Sequence, residues 1–120
     1  MKKRSWLMAL MLVGILAAIT ATAADNFPRV TAPTLKTIEA DGKELAIIDP
    51  REEGVFGAAH LLHAVNLPLS KLELNIFRMV PRKSTRIVLT DGGDGMAERA
   101  ATKLKEFGYT DVAILDGGVP

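Results

Sequence analysis

The sequence predicts an α/β fold around a small parallel β-sheet. Three observations carry this. Short apolar runs of strand length recur at residues 45–48, 87–89 and 112–115, and such runs suit strands buried on both faces. Between them lie segments with apolar residues at three- and four-residue spacing, the periodicity of a helix. The two kinds of segment alternate, and that alternation is how parallel sheets are built.

The elements follow in order. Residues 26–31 read as an extended lead-in. Pro33 suits the first turn of a helix, where its missing N–H has no partner to lose. Leu35, Ile38 and Ala40 give that helix a short apolar face, and Asp41-Gly42 turns the chain. Residues 45–48 form a strand, Asp49-Pro50-Arg51 ends it, and residues 52–57 make a short, weak helix. Residues 64–67 are a second strand, stopped by Pro68. Ser70 is placed to cap a helix over 71–77. After a loop at 81–85 comes the strong strand 86–90, then the tight loop Asp91-Gly92-Gly93-Asp94-Gly95. The helix 96–107 has the best pattern, with Met96, Ala97, Ala100, Ala101, Leu104 and Phe107 on one side. Gly108 stops it. Residues 112–115 are the last strand, and Asp116-Gly117-Gly118 turns out of it. Ligands of such sheets bind beyond the C-terminal strand ends. Asp49, Asp91 and Asp116 each follow an apolar strand, so all three are expected at that edge.

The first 24 residues read as targeting sequence. Lys2, Lys3 and Arg4 precede an uncharged stretch at 5–24, apolar from 6 to 19, which ends in the small-x-small triplet Ala21-Thr22-Ala23. This is the order of a secretory signal peptide, with cleavage expected after Ala23 or Ala24. The competing reading is an uncleaved anchor, since a span takes roughly 20 apolar residues. Thr20, Thr22 and the Ala-rich end favour cleavage. The expected location is therefore exported and periplasmic, with a membrane-anchored form as the alternative. Residues 25–120 form the one domain. Without the three N-terminal bases the chain holds 12 Lys+Arg against 14 Asp+Glu, a net charge of −2.

Composition narrows the function classes. The 120 residues contain no cysteine. That excludes disulfides, thiolate nucleophiles, persulfide carriers, Cys-ligated zinc and iron–sulfur clusters. Two histidines, His60 and His63, are too few for most His-based metal sites. No metal and no cofactor are expected. No basic stripe with interleaved aromatics is present, so nucleic acid is not an expected partner. Stability must come from core burial, at about 25 cal/mol per Å² of apolar area.

Four segments carry a family resemblance. Ile47-Ile48-Asp49-Pro50-Arg51-Glu52-Glu53 resembles the strand followed by Asp-x-Arg-Glu of rhodanese-like domains. Residues 59–69, Ala-His-Leu-Leu-His-Ala-Val-Asn-Leu-Pro-Leu, are similar to that family's Gly-His-Ile-Pro-Gly-Ala-x-Asn-x-Pro-Leu segment. Residues 86–107 resemble its strand, active-site loop and following helix. Gly108-Tyr109, Val112 and Leu115-Asp116-Gly117-Gly118 resemble its Gly-Phe/Tyr…Val…Leu-x-Gly-Gly ending. The resemblance covers residues 30–120. It implies a small parallel sheet with helices on both faces. It also implies a chemistry in which a cysteine opening a six-residue loop takes sulfur from a donor such as thiosulfate. Backbone N–H groups at the next helix's N-terminus cradle the anionic sulfur.

The chain departs at the decisive position. The cysteine position falls on Asp91, and the loop reads Asp91-Gly92-Gly93-Asp94-Gly95-Met96. Its last position, often Arg in single-domain members, is Met96. A carboxylate carries no transferable sulfur and repels thiosulfate. Two charges ~4 Å apart interact by about 1 kcal/mol even in water. Asp91 is expected to accept the cradle's own hydrogen bonds, and Asp94 to meet the helix's positive end. Two other readings of this loop are a vestigial cradle that binds a peptide, cation or other ligand, and Asp91/Asp94 as the centre of non-thiol chemistry.

Among supporting residues, Asp49 and Arg51 are expected to form a structural ion pair or to hydrogen-bond to loops at the sheet edge, and His60 to shape the fold. Arg78, Arg82, Lys83 and Arg86 are expected to be a solvated basic cluster. Family members usually continue past the Gly-Gly turn, whereas Pro120 is the last residue of this sequence. The domain is therefore expected to be shortened, with one face of the final strand under-covered. The functional expectation is an exported module without sulfurtransferase activity, binding or regulating a protein or small-ligand partner.

Overall fold

The computed structural model describes residues 26–119, and the segment read as targeting sequence lies outside them. Five parallel strands are ordered β1-β5-β4-β2-β3. They are β1 Arg29–Val30, β2 Leu45–Asp49, β3 Val65–Asn66, β4 Arg86–Leu89 and β5 Val112–Leu115. The helices are α1 Ala32–Ala40, α2 Glu53–Ala58, α3 Leu72–Met79 and α4 Met96–Glu106.

Alternation along the strands sorts the core into two layers. Ile48, Ile87, Leu89 and Ile114 face α3 and α4, meeting Leu72, Ile76, Ala100, Ala101 and Leu104. Ile47, Val88 and Leu115 face the other way, onto Leu35 and Ile38 of α1. The small alanines of α4 let that helix lie close against the sheet. Tyr109 completes the first layer by donating its hydroxyl to the carbonyl of Val80 at 2.5 Å. Burial pushes its phenol above the usual value.

Several expectations need correction. The lead-in contains a strand: β1 pairs with β5 through Arg29↔Ile114 and Val30↔Leu115. The second strand is shorter than 64–67: only Val65 and Asn66 pair with β2, and the last ladder bond, from Leu67 N–H to Asp49 O at 3.0 Å, comes just before Pro68. Ser70 caps no helix. A 3₁₀ turn at Leu69–Lys71 precedes α3, and the Ser70 hydroxyl donates to Glu52 at 3.0 Å. The basic cluster is not simply solvated, since Arg82 forks onto Glu44 and Arg86 onto Asp41. The final strand is also better covered than expected. Three of its four residues are buried, and Val119 folds back to donate to Asp91 O at 2.7 Å.

Asp41 joins the end of α1 to the start of β4. It accepts from both terminal nitrogens of Arg86, at 2.7 and 2.8 Å, and from Lys43 N–H at 2.9 Å. The Arg86 bonds lead in holding its carboxyl at about 2, below the ordinary 3.8. A depressed carboxyl value stabilises the fold above the ordinary range and gives that up as pH falls through about 2. In a carboxyl-carbon NMR titration, Asp41 is expected to show a midpoint near 2, and Arg86→Gln to return it toward 3.8.

Candidate functional site

The loop between β4 and α4 is built around one carboxylate. β4 ends at Leu89 and delivers Asp91 to the mouth between the sheet and α4. Asp91 Oδ1 accepts from Gly93 N–H at 2.8 Å, and Oδ2 accepts from Ala97 N–H at 2.7 Å. The side chain is buried against the helix start. Asp94 Oδ1 accepts from Met96 N–H at 3.1 Å. Two first-turn donors of α4 are thus met by carboxylates, where helix geometry leaves donors unpaired and the dipole favours negative charge. Gly93 and Gly95 hold φ of +82° and +84°, a region that a side chain would strain. Asp91's own carbonyl is gripped from the far side by Val119 N–H, and Gly118 packs directly on it.

Asp49 and Arg51 stand behind this loop. Asp49 is fully buried at the end of β2. Arg51 forks onto it, Nε to Oδ1 at 2.9 Å and Nη2 to Oδ2 at 2.7 Å, while Arg51 N–H donates to Oδ1 at 3.0 Å. Nη2 also donates to the Ala59 carbonyl at 2.7 Å. Asn66 ties the corner by donating to the carbonyls of Asp49 and Arg51. The expected ion pair is formed. It also touches the loop, because Arg51 Nη1 lies 3.8 Å from where a Gly92 side chain would begin. Arg51's pKa is raised, first by the hydrogen bonds to Asp49, with further contributions from the charges of Asp94 and Asp91.

The structure brings Asp49, Arg51 and the 91–96 loop together but sets His60 apart. His60 is exposed. Its Nδ1 donates to the Phe56 carbonyl at 2.8 Å and its ring stacks on Phe56 at 3.9 Å. A carbonyl only accepts, so the proton is on Nδ1. His63 instead meets Glu39 across the α1 face at 2.7 Å, so the two histidines serve different partners. No group of three metal-ligating side chains occurs among the described residues.

Sequence reasoning missed two arginines here. Met96 does not leave the loop without a cation: Arg99, one turn on, places Nη1 3.6 Å from the Met96 sulfur. Arg29 spans the cleft of about 380 Å³ beside the loop, bonding Glu98 at 2.6 Å and lying 3.8 Å from Asp116. The spacing of three between Met96 and Arg99 was a readable helical signal. Arg29–Glu98 was not readable, because it depends on β1 docking beside β5.

The family model for the rhodanese-like domain matches residues 31–120. The chain belongs to the rhodanese-like domain family. Of solved structures, a thiosulfate sulfurtransferase from Pseudomonas aeruginosa is 47% identical, with a TM-score of 0.74. The match covers 77% of this chain and 18% of that one, so this rhodanese-like chain spans a small part of that relative. A rhodanese-like domain from Anabaena is 26% identical over 76% of this chain and 69% of its own, with a TM-score of 0.65. The human single-domain sulfurtransferase TSTD1 shares the fold at 22% identity, covering 78% of this chain and 92% of its own, with a TM-score of 0.66. No match was found among curated proteins. Within the family this chain is a cysteine-free member.

Proposed function

We propose that this rhodanese-like domain is an exported, periplasmic module that does not transfer sulfur and acts in binding or regulation. One observation carries the reading: the Asp91 carboxylate takes the Gly93 and Ala97 N–H groups at 2.8 and 2.7 Å. The cradle's donors are spent on an anion covalently tied to the loop. A competing external anion meets both a filled site and the negative charge that fills it. The resemblance to a thiosulfate sulfurtransferase therefore extends to the scaffold, without the thiol that would hold sulfur.

Chemistry at Asp91 and Asp94 is the weaker reading. Both oxygens of Asp91 already accept backbone bonds, and a nucleophile held this way has no adjacent base to activate it among the hydrogen bonds of the loop. The partner is a protein or small ligand that meets the loop edge, with no nucleic acid involved. A free exported form is the reading for the N-terminus, and a membrane-anchored form is the alternative.

The test is a thiosulfate:cyanide assay on purified protein. Thiocyanate formation is expected to stay at the level of a heat-denatured control, and turnover clearly above that control would sink the reading. Intact-mass measurement of the native protein separates the two forms: an N-terminus near Asp25 indicates export with cleavage, and one at Met1 an anchor.

A further inference from the structure

The two faces of the sheet are covered unequally. One core layer draws on α3 and α4, whereas the helical side chains of the other come from α1 alone, Leu35 and Ile38. Beside α1 an apolar groove of about 300 Å³ stays open, floored by Ile47 and Leu115. Ala32, Lys36 and Glu39 of α1 form one wall and Leu62 the other. Leu62 is 86% exposed, the most exposed large apolar side chain among the described residues. Leu74 of α3 is 82% exposed, but it lies on the opposite face and borders no part of this groove. Leu62 alone joins high exposure to an unfilled apolar groove.

The charges of the groove pick out its occupant. Lys36 has no ion-pair partner among the described residues. Glu39, three residues on along the same wall, holds only His63, at 2.7 Å, and that pair is fully ionic only when the imidazole is protonated. The fitting occupant is a helical stripe with small and apolar residues and an acid and a base one turn apart, running in the reverse direction. α1 itself carries that stripe in Ala32, Leu35, Lys36 and Glu39.

We infer that the groove is filled by α1 of a second copy of this chain, in a two-fold dimer. The two α1 helices lie side by side and antiparallel, at a helix spacing of about 8–10 Å. A two-fold axis sets the same patch against itself. Lys36 of each copy then meets Glu39 of the other, and Leu62 of each packs on the other's α1. The inference does not depend on the chemistry of the loop, which lies against α4.

Sedimentation equilibrium on the protein as isolated from the cell tests this. The average mass is expected to rise reversibly with concentration from monomer to dimer and to stop there, since a two-fold contact closes on itself. Leu62→Glu is expected to raise the dimer dissociation constant at least about tenfold, and Leu74→Glu to leave it unchanged. Lys36→Glu alone and Glu39→Lys alone each set like charges across the axis, and each is expected to weaken the dimer. An equimolar mixture of those two variants is expected to regain it, because each then faces its opposite charge. Damage to the fold cannot produce that recovery. A wild-type chain that stays monomeric overturns the inference and leaves the groove to another protein's helix or to lipid. A dimer that survives Leu62→Glu, as association through the N-terminal segment would, also overturns it. So does a mixture no more dimeric than its components. If either charge variant does not melt like the parent, the contrast between positions 62 and 74 decides.

Discussion

Replacing Asp49 with alanine is expected to cost about 3–5 kcal/mol, the largest loss of any single change considered. Asp49 is fully buried and Arg51 nearly so. Removing the carboxylate strands a guanidinium that keeps only the Ala59 carbonyl as a bonded partner, and it frees Arg51 N–H as well. For a domain of this size, 3 kcal/mol corresponds to a fall of roughly 12–24 °C in Tm. Arg51→Ala is expected to cost a similar amount, because it leaves a carboxylate at zero exposure with one backbone donor. The joint change Asp49→Leu/Arg51→Met is expected to cost less than either single change, since no unpaired charge remains. Urea unfolding of the three variants checks this. Single losses below about 1 kcal/mol, as for a surface pair, would contradict it.

The second large effect belongs to the turn after β5. Gly118→Ala is expected to cost about 2–4 kcal/mol and to displace the loop. A Cβ there would lie 2.2 Å from Asp91 O, on a backbone with φ of +55°. Something must shift, and the neighbour is main chain that already accepts from Val119 N–H. Gly117→Ala supplies the control. Its φ is +88° but nothing lies within 4 Å of the new carbon, so backbone strain alone applies, about 1–2 kcal/mol. Thermal unfolding orders the two. Amide shifts at Gly93 and Ala97 report whether Asp91 has moved, and are expected to change with Gly118→Ala only. Equal losses at 117 and 118 would remove the close contact from the explanation.

The contrast between these positions shows what a linear reading can reach. β2 and β4 were legible because burial on both faces leaves an uninterrupted apolar run. α4 was legible because its alanines repeat at helical spacing. The filling of the loop was legible too, since it needs only partners two and six residues from Asp91. β1 was not, because a two-residue strand has no pattern of its own and exists through pairing with β5. The start of α3 misled because Ser70 has the right chemistry for a cap, yet tertiary placement offered its hydroxyl Glu52, 18 residues away. The Arg29–Glu98 bond joins residues 69 apart and leaves no mark in either segment. His60 follows the family's spacing closely, yet its contacts go to Phe56 rather than to the loop.

That the loop supplies its own anion is tested most directly by emptying it. Formate or thiocyanate is titrated into labelled wild-type protein and into Asp91→Ala, with the Gly93 and Ala97 amides followed by NMR. Wild-type amides are expected to stay still, their donors being held by Asp91, whereas the alanine variant is expected to show saturable shifts at both positions. Saturable shifts of the same size in the wild-type protein would mean that the cradle stands open, and would contradict the account.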